Sequence, residues 1–101
     1  MNSWKDIRKQ IGYSKSGILS KDLVRGNKLN IDLFCMAKGT EISEHTATRE
    51  GFVYVIEGKG VFTLKGKNIP MLPGVLITME KSAFHSIKAE ENTSYLLGLI
   101  S

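Results

Sequence analysis

Gly39-Thr40-Glu41-Ile42-Ser43-Glu44-His45-Thr46-Ala47-Thr48-Arg49-Glu50-Gly51, continued by Phe52-Val53-Tyr54-Val55-Ile56 and closed by Gly58, is the stretch on which the reading of this chain turns. It places one of only two histidines between glycines and then commits to a strand. The run from Phe52 to Ile56 is β-branched or aromatic, the types that suit a pleated backbone. Period-two alternation sends Val53 and Val55 one way, and Phe52, Tyr54 and Ile56 the other. A strand apolar on both faces has to be covered on both. In a lone small barrel one face would meet water, so the outer face requires a further layer or another subunit. A homodimer is the simplest such partner. The second histidine, His85, has a comparable setting: Pro73-Gly74, a β-rich run, then Ser82-Ala83-Phe84-His85.

Outward from this stretch, strand signals dominate. Ile18 to Val24 and Leu29 to Ala37 are β-like, with a turn at Arg25-Gly26-Asn27 between them. In the second run Leu29, Ile31, Leu33 and Cys35 share one face, and Asn30, Asp32, Phe34 and Met36 the other. Val61 to Lys65, Ile69 to Leu72, Val75 to Met79, His85 to Ala89 and Tyr95 to Ile100 complete about eight short strands, the number and spacing of a sandwich or barrel. Gly66-Lys67-Asn68 makes a tight turn among them. Ahead of the strands, residues 2 to 11 suit a short helix. Ser3 with Asp6 reads as a capping box, Trp4, Ile7 and Ile11 share a face, and Gly12 ends it. The expected organisation is an N-terminal segment over residues 1–17 and one β domain over residues 18–101.

Composition narrows the class. A chain of 101 residues with 42% hydrophobic and 24% charged residues has the make-up of one soluble domain. A single cysteine, Cys35, excludes an internal disulfide framework and a CxxC zinc site; its ordinary reading is a small buried apolar side chain. No secretory h-region and no membrane-length apolar run occurs, so the expected location is the cytoplasm. The net charge of +4 is spread among interleaved acidic residues. Without a basic run carrying stacking aromatics, neither nucleic acid nor a membrane surface is an expected partner.

These segments resemble the two motifs of the cupin superfamily over roughly residues 18 to 100. The first family motif is Gly, five residues, His-x-His, three or four residues, Glu, six residues, Gly. Gly39, His45 and Gly58 stand at matching positions, while Ala47 replaces the second His and Gly51 the Glu, with Glu50 one residue earlier. The second is Gly, five residues, Pro-x-Gly, two residues, His, three residues, Asn. Gly74 and His85 match it, and Glu80, Ser82 and Ala89 replace Pro, Gly and Asn. Residues 59 to 73 between the motifs look like the short connection of small single-domain members. The resemblance implies an all-β fold, the double-stranded β-helix or jelly-roll barrel.

It also implies a site on the inner wall, where the family holds a metal with imidazoles and a carboxylate. Such a set suits iron, manganese, nickel or zinc. Here His45 and His85 carry over and Glu50 is the nearest third ligand, although strand alternation points it outward. Two imidazoles alone hold a divalent ion weakly. A cavity-lining role for both rings is therefore the stronger expectation, with Ala47, Val53, Val55 and Phe84 as neighbours on the pocket wall and Met36, Met71 and Met79 as apolar fillers. The function this implies is small-molecule binding with an incomplete metal site and no required catalysis. The alternative is a metal-dependent enzyme of dioxygenase or isomerase type acting on a small organic substrate.

Overall fold

The computed structural model describes residues 3–101. Nine strands run through them: β1 (Ile18–Arg25), β2 (Leu29–Met36), β3 (Glu41–Thr46), β4 (Gly51–Glu57), β5 (Gly60–Leu64), β6 (Lys67–Met71), β7 (Leu76–Met79), β8 (Phe84–Ala89) and β9 (Thr93–Ile100). They form two antiparallel sheets, ordered β1-β2-β9-β4-β7 and β3-β8-β5-β6. From β2 onward the chain crosses repeatedly between sheets, the winding of a jelly roll. Met36, Val53, Val55, Ile77, Met79 and Tyr95 from the first sheet meet Phe62, Met71, Ile87 and Ala89 from the second in one core. No helix among the described residues is long and apolar enough to cross a membrane.

The strand absent from the sequence reading is β3. Glu41, Ser43, Glu44, His45 and Thr46 leave Ile42 as its lone apolar residue, so hydrophobic periodicity has nothing to register. It is an edge strand, paired only with β8, and most of it is exposed. A polar edge blunts pairing with other chains. This edge nonetheless carries His45.

The expected helix over residues 2–11 does not form. Residue 2 lies outside the described residues, and over the others only Ile7–Lys9 make a single 3-10 turn. Asp6 caps it, its Oδ1 accepting the Arg8 backbone N–H at 3.1 Å. A helix this short lacks the length to sustain itself, and contacts with the sheet take over. Lys5 Nζ donates to the Leu23 carbonyl at 2.8 Å, and Lys21 Nζ donates to the Gln10 carbonyl at 2.7 Å. The segment is thus a strap drawn across the outer face of the first sheet. Tyr13 lies beside Cys35 and Ser94, and its hydroxyl donates to Glu57 Oε2 at 2.9 Å. Burial pushes that phenol up to about 12, so it stays protonated at neutral pH.

The strap accounts for an otherwise odd burial pattern in β2. Phe34 and Met36 face the core, so alternation turns Leu33 and Cys35 to the outer side. Both are nevertheless fully buried, as is Ser94 opposite Cys35. One layer over the outer face is therefore supplied by the chain itself. Its cover reaches β4 only at the Glu57 end and stops short of β7. There Tyr54 and Leu76, direct cross-strand partners, are 41% and 60% exposed.

Candidate functional site

His85 is positioned by the inward phase of β8. Along that strand His85, Ile87 and Ala89 are buried, while Phe84 and Lys88 are exposed. His45 reaches the same interior by a less regular route. Ile42 pairs with Ile87 and His45 pairs with His85, so β3 spends one residue more than β8 between the two pairs. This is a β-bulge, which re-aims the side chains beyond it. Without it, Ile42 and His45, three residues apart, would point to opposite faces.

The bulge brings the two imidazoles into contact. Their ring centroids are 4.0 Å apart at an interplanar angle of 60°. His45 stands at the exposed edge and His85 is buried, stacked parallel on Phe62 at 5.5 Å. Each ring is anchored through Nδ1 to a carbonyl two residues earlier on its own chain: His45 to Ser43 at 2.9 Å, and His85 to Ala83 at 3.2 Å. Burial, reinforced by the neighbouring His45, lowers the His85 pKa below its ordinary 6.5, against the Ala83 bond, which raises it. The inner ring is therefore neutral at physiological pH.

These rings open on a pocket of about 180 Å³ between the sheets. Phe34, Val53, Tyr95 and Leu97 line it from the first sheet, and Ile42, Phe62 and Ile87 from the second, with Met79 beside them. Phe34 and Tyr95 stack parallel at 5.3 Å, and burial holds the Tyr95 phenol well above its ordinary pKa. Among the described residues no Lys, Arg, Asp or Glu side chain lines the pocket. Larger grooves lie elsewhere, among them one of about 520 Å³ beneath the strap at Trp4 and Ile7 and one of about 460 Å³ at Glu50.

Of the residues expected at the site, His45, His85 and Val53 line this pocket. Val55 is fully buried in the core instead. Ala47 is buried past the end of β3, where its N–H donates to the Ala83 carbonyl at 3.0 Å. Phe84, 56% exposed, lies on the opposite face of β8 from His85. Glu50 lines the separate groove with Lys65 and Glu80, and neither histidine borders it. Phe34, Phe62, Tyr95 and Leu97 had no local signature in the sequence. Phe62 reaches the imidazoles through the pairing of β5 with β8, and Phe34, Tyr95 and Leu97 through the packing of the first sheet on the second.

This donor set does not fit a resident metal. Among the described residues no group of three or more His, Cys, Asp or Glu side chains could hold one. Gly51, at the position where the cupin motif has its carboxylate, is closed by packing: a Cβ built there would sit 2.1 Å from the Gly98 backbone oxygen. The neighbouring strand occupies the space through which a side chain would leave.

Comparison with known proteins agrees with this architecture. Residues 32–98, more than half of the chain, match the family model described as cupin domain. A conserved protein of unknown function from Streptococcus pyogenes is 24% identical and superposes with a TM-score of 0.88, over 100% of this chain and 89% of its own. A cupin 2 conserved barrel domain protein from Leptotrichia buccalis is 27% identical at a TM-score of 0.85, over 93% of this chain and 46% of its own. KdgF from Halomonas sp. is 17% identical at a TM-score of 0.83, over 99% of this chain and 94% of its own. No curated protein matches the sequence.

Proposed function

Because this chain belongs to the cupin domain family, we propose that its barrel serves as a binding module for a small, largely apolar molecule held between the sheets, without a resident metal. The observation that carries the reading is the pocket itself: two contacting imidazoles on a wall otherwise apolar, in a cavity of about 180 Å³. Ligand sites commonly combine apolar walls with a few convergent polar groups. A metal-dependent dioxygenase or isomerase would need a third ligand beside His45 and His85, and Glu50 faces another groove. One buried thiol and no disulfide suit work in a reducing cytoplasm.

Toluene is a suitable first probe. Titrated into the metal-free protein, it should shift the methyl resonances of Ile42, Val53 and Ile87 and raise the melting temperature. Unmoved pocket methyls at saturating toluene would sink the binding reading. Protein incubated with iron, manganese, nickel or zinc salts and then gel-filtered should retain far less than one metal per chain, and stoichiometric retention would restore the metalloenzyme.

The uncovered sheet face supports a second copy of the chain as its partner. Leu76 and Tyr54 stand side by side across β7 and β4, with half-buried Leu96 of β9 next in the row at the margin of the strap groove, and no charge lies within the row. A two-fold axis lets one such row cover another. Sedimentation at micromolar concentration should give a dimer, and Tyr54→Glu with Leu76→Glu should give a folded monomer. A wild-type monomer at that concentration would refute this partner.

A further inference from the structure

We propose that the pocket selects a neutral, largely apolar molecule bearing a hydroxyl donor, in the simplest case a phenol, and that the Nε2 atoms of His45 and His85 receive that donor. The inference rests on the binding reading above and names its ligand class. It starts from the two Nδ1 contacts. Ser43 and Ala83 present carbonyl oxygens, which only accept hydrogen bonds, so each Nδ1 facing one must carry the proton. A neutral imidazole has a single N–H. In the neutral form of each ring Nε2 is therefore a lone-pair acceptor, and neither Nε2 has a protein partner among the described residues.

Two acceptors side by side cannot satisfy one another. The rings are direct cross-strand partners at 4.0 Å and both border the same pocket. Their orientation is built into the strands, because each anchoring carbonyl lies two residues back along its own chain. The group that completes the site must arrive with the ligand, and it must donate. Tyr95, the remaining polar side chain on the wall, can take either role and does not alter that demand.

Charge and size narrow the class. A carboxylate entering this pocket would find no cation, and an ammonium would find no carboxylate. Either would leave water for a wall unable to repay its hydration. His85 is itself held neutral by burial. An engineered cavity of about 150 Å³ accepts benzene, and the volume here, about 180 Å³, admits one ring with a small substituent. The flat faces of Phe34, Phe62 and Tyr95 suit such a ring.

Two measurements at pH 8 test the proposal. Nitrogen-15 NMR should show both neutral imidazoles protonated at Nδ1; protonation at Nε2 in either ring overturns it. Affinities for phenol and for its near-isostere toluene should then be measured in wild type, His85→Leu and His45→Leu. His45 is at the exposed edge, so its replacement keeps the test valid even where His85→Leu perturbs folding. The wild-type preference for phenol, as the ratio of toluene to phenol Kd, should fall about tenfold when an acceptor is removed. An unchanged ratio in both variants overturns the donor inference while leaving the binding module intact. Failure of both probes to bind wild type overturns the two together, and benzoate binding as tightly as phenol overturns the neutral class.

Discussion

Replacing Phe62 with alanine is expected to lower the unfolding free energy by about 3–5 kcal/mol. Phe62 is fully buried, it sits where β5 crosses the core, and the His85 ring stacks on it. Truncation removes the transfer free energy of the ring and leaves a void that close-packed strands fill only in part. For a domain whose whole stability is about 5–15 kcal/mol, that is a large fraction. Urea unfolding should show the midpoint fall with little change in slope. Phe84→Ala is the internal control, the same side chain 56% exposed on β8, and it should stay within about 0.5 kcal/mol. Equal effects at the two positions would mean that the inward phase of β5 and β8 is wrong. The void would also adjoin the pocket, so toluene should restore more stability to Phe62→Ala than to wild type.

Gly58→Ala is expected to cost about 3–5 kcal/mol, by a different mechanism. Gly58 has a φ of +109°, where a Cβ is strained, and a Cβ built there meets the Asn92 carbonyl oxygen at 2.4 Å and Thr93 atoms at 2.5 Å. Those neighbours cannot easily retreat. Thr93 Oγ1 donates to carbonyl oxygens of this corner, Lys59 at 3.1 Å and Glu91 at 2.8 Å, tying the turn after β4 to the turn before β9. Gly66 separates strain from collision. Its φ of +82° is also left-handed, but nothing lies within 4 Å of its built Cβ. Gly66→Ala should therefore cost about 1–2 kcal/mol, the backbone part alone. Thermal unfolding of both variants checks the ordering. A Gly58→Ala protein no less stable than Gly66→Ala would show that the corner yields.

What the sequence made legible follows from where each signal is stored. Alternation is local, so Val53 and Val55 could be placed on one face from their own strand, and the jelly roll was legible from strand number and motif spacing. Edge strands store less, because solvent removes the apolar alternation; β3 was invisible for that reason. The N-terminal segment misled in the opposite sense. Trp4, Ile7 and Ile11 have helical spacing, yet this stretch is tied to β1 by the side chains of Lys5 and Lys21, contacts that no local window of the sequence contains. The site was divided in the same way. His45 and His85 were found through motif spacing, whereas Phe62 and Tyr95 reach them only through long-range register. Phe84 shows the limit most simply: adjacent to His85 in sequence, it points to the other side of the sheet.

The bulge in β3 carries a consequence for how such chains evolve. From Ile42 to His45 β3 takes three steps against two on the facing strand, and both residues still meet their partners, so the bulge absorbs the odd residue. Losing Ser43 or Glu44 would leave two steps on each strand, a regular register in which His45 keeps its aim; drawing the present length straight, without the bulge, would instead turn His45 outward. The polar edge is thus a hereditary buffer, able to gain or lose one residue without removing an acceptor from the pocket.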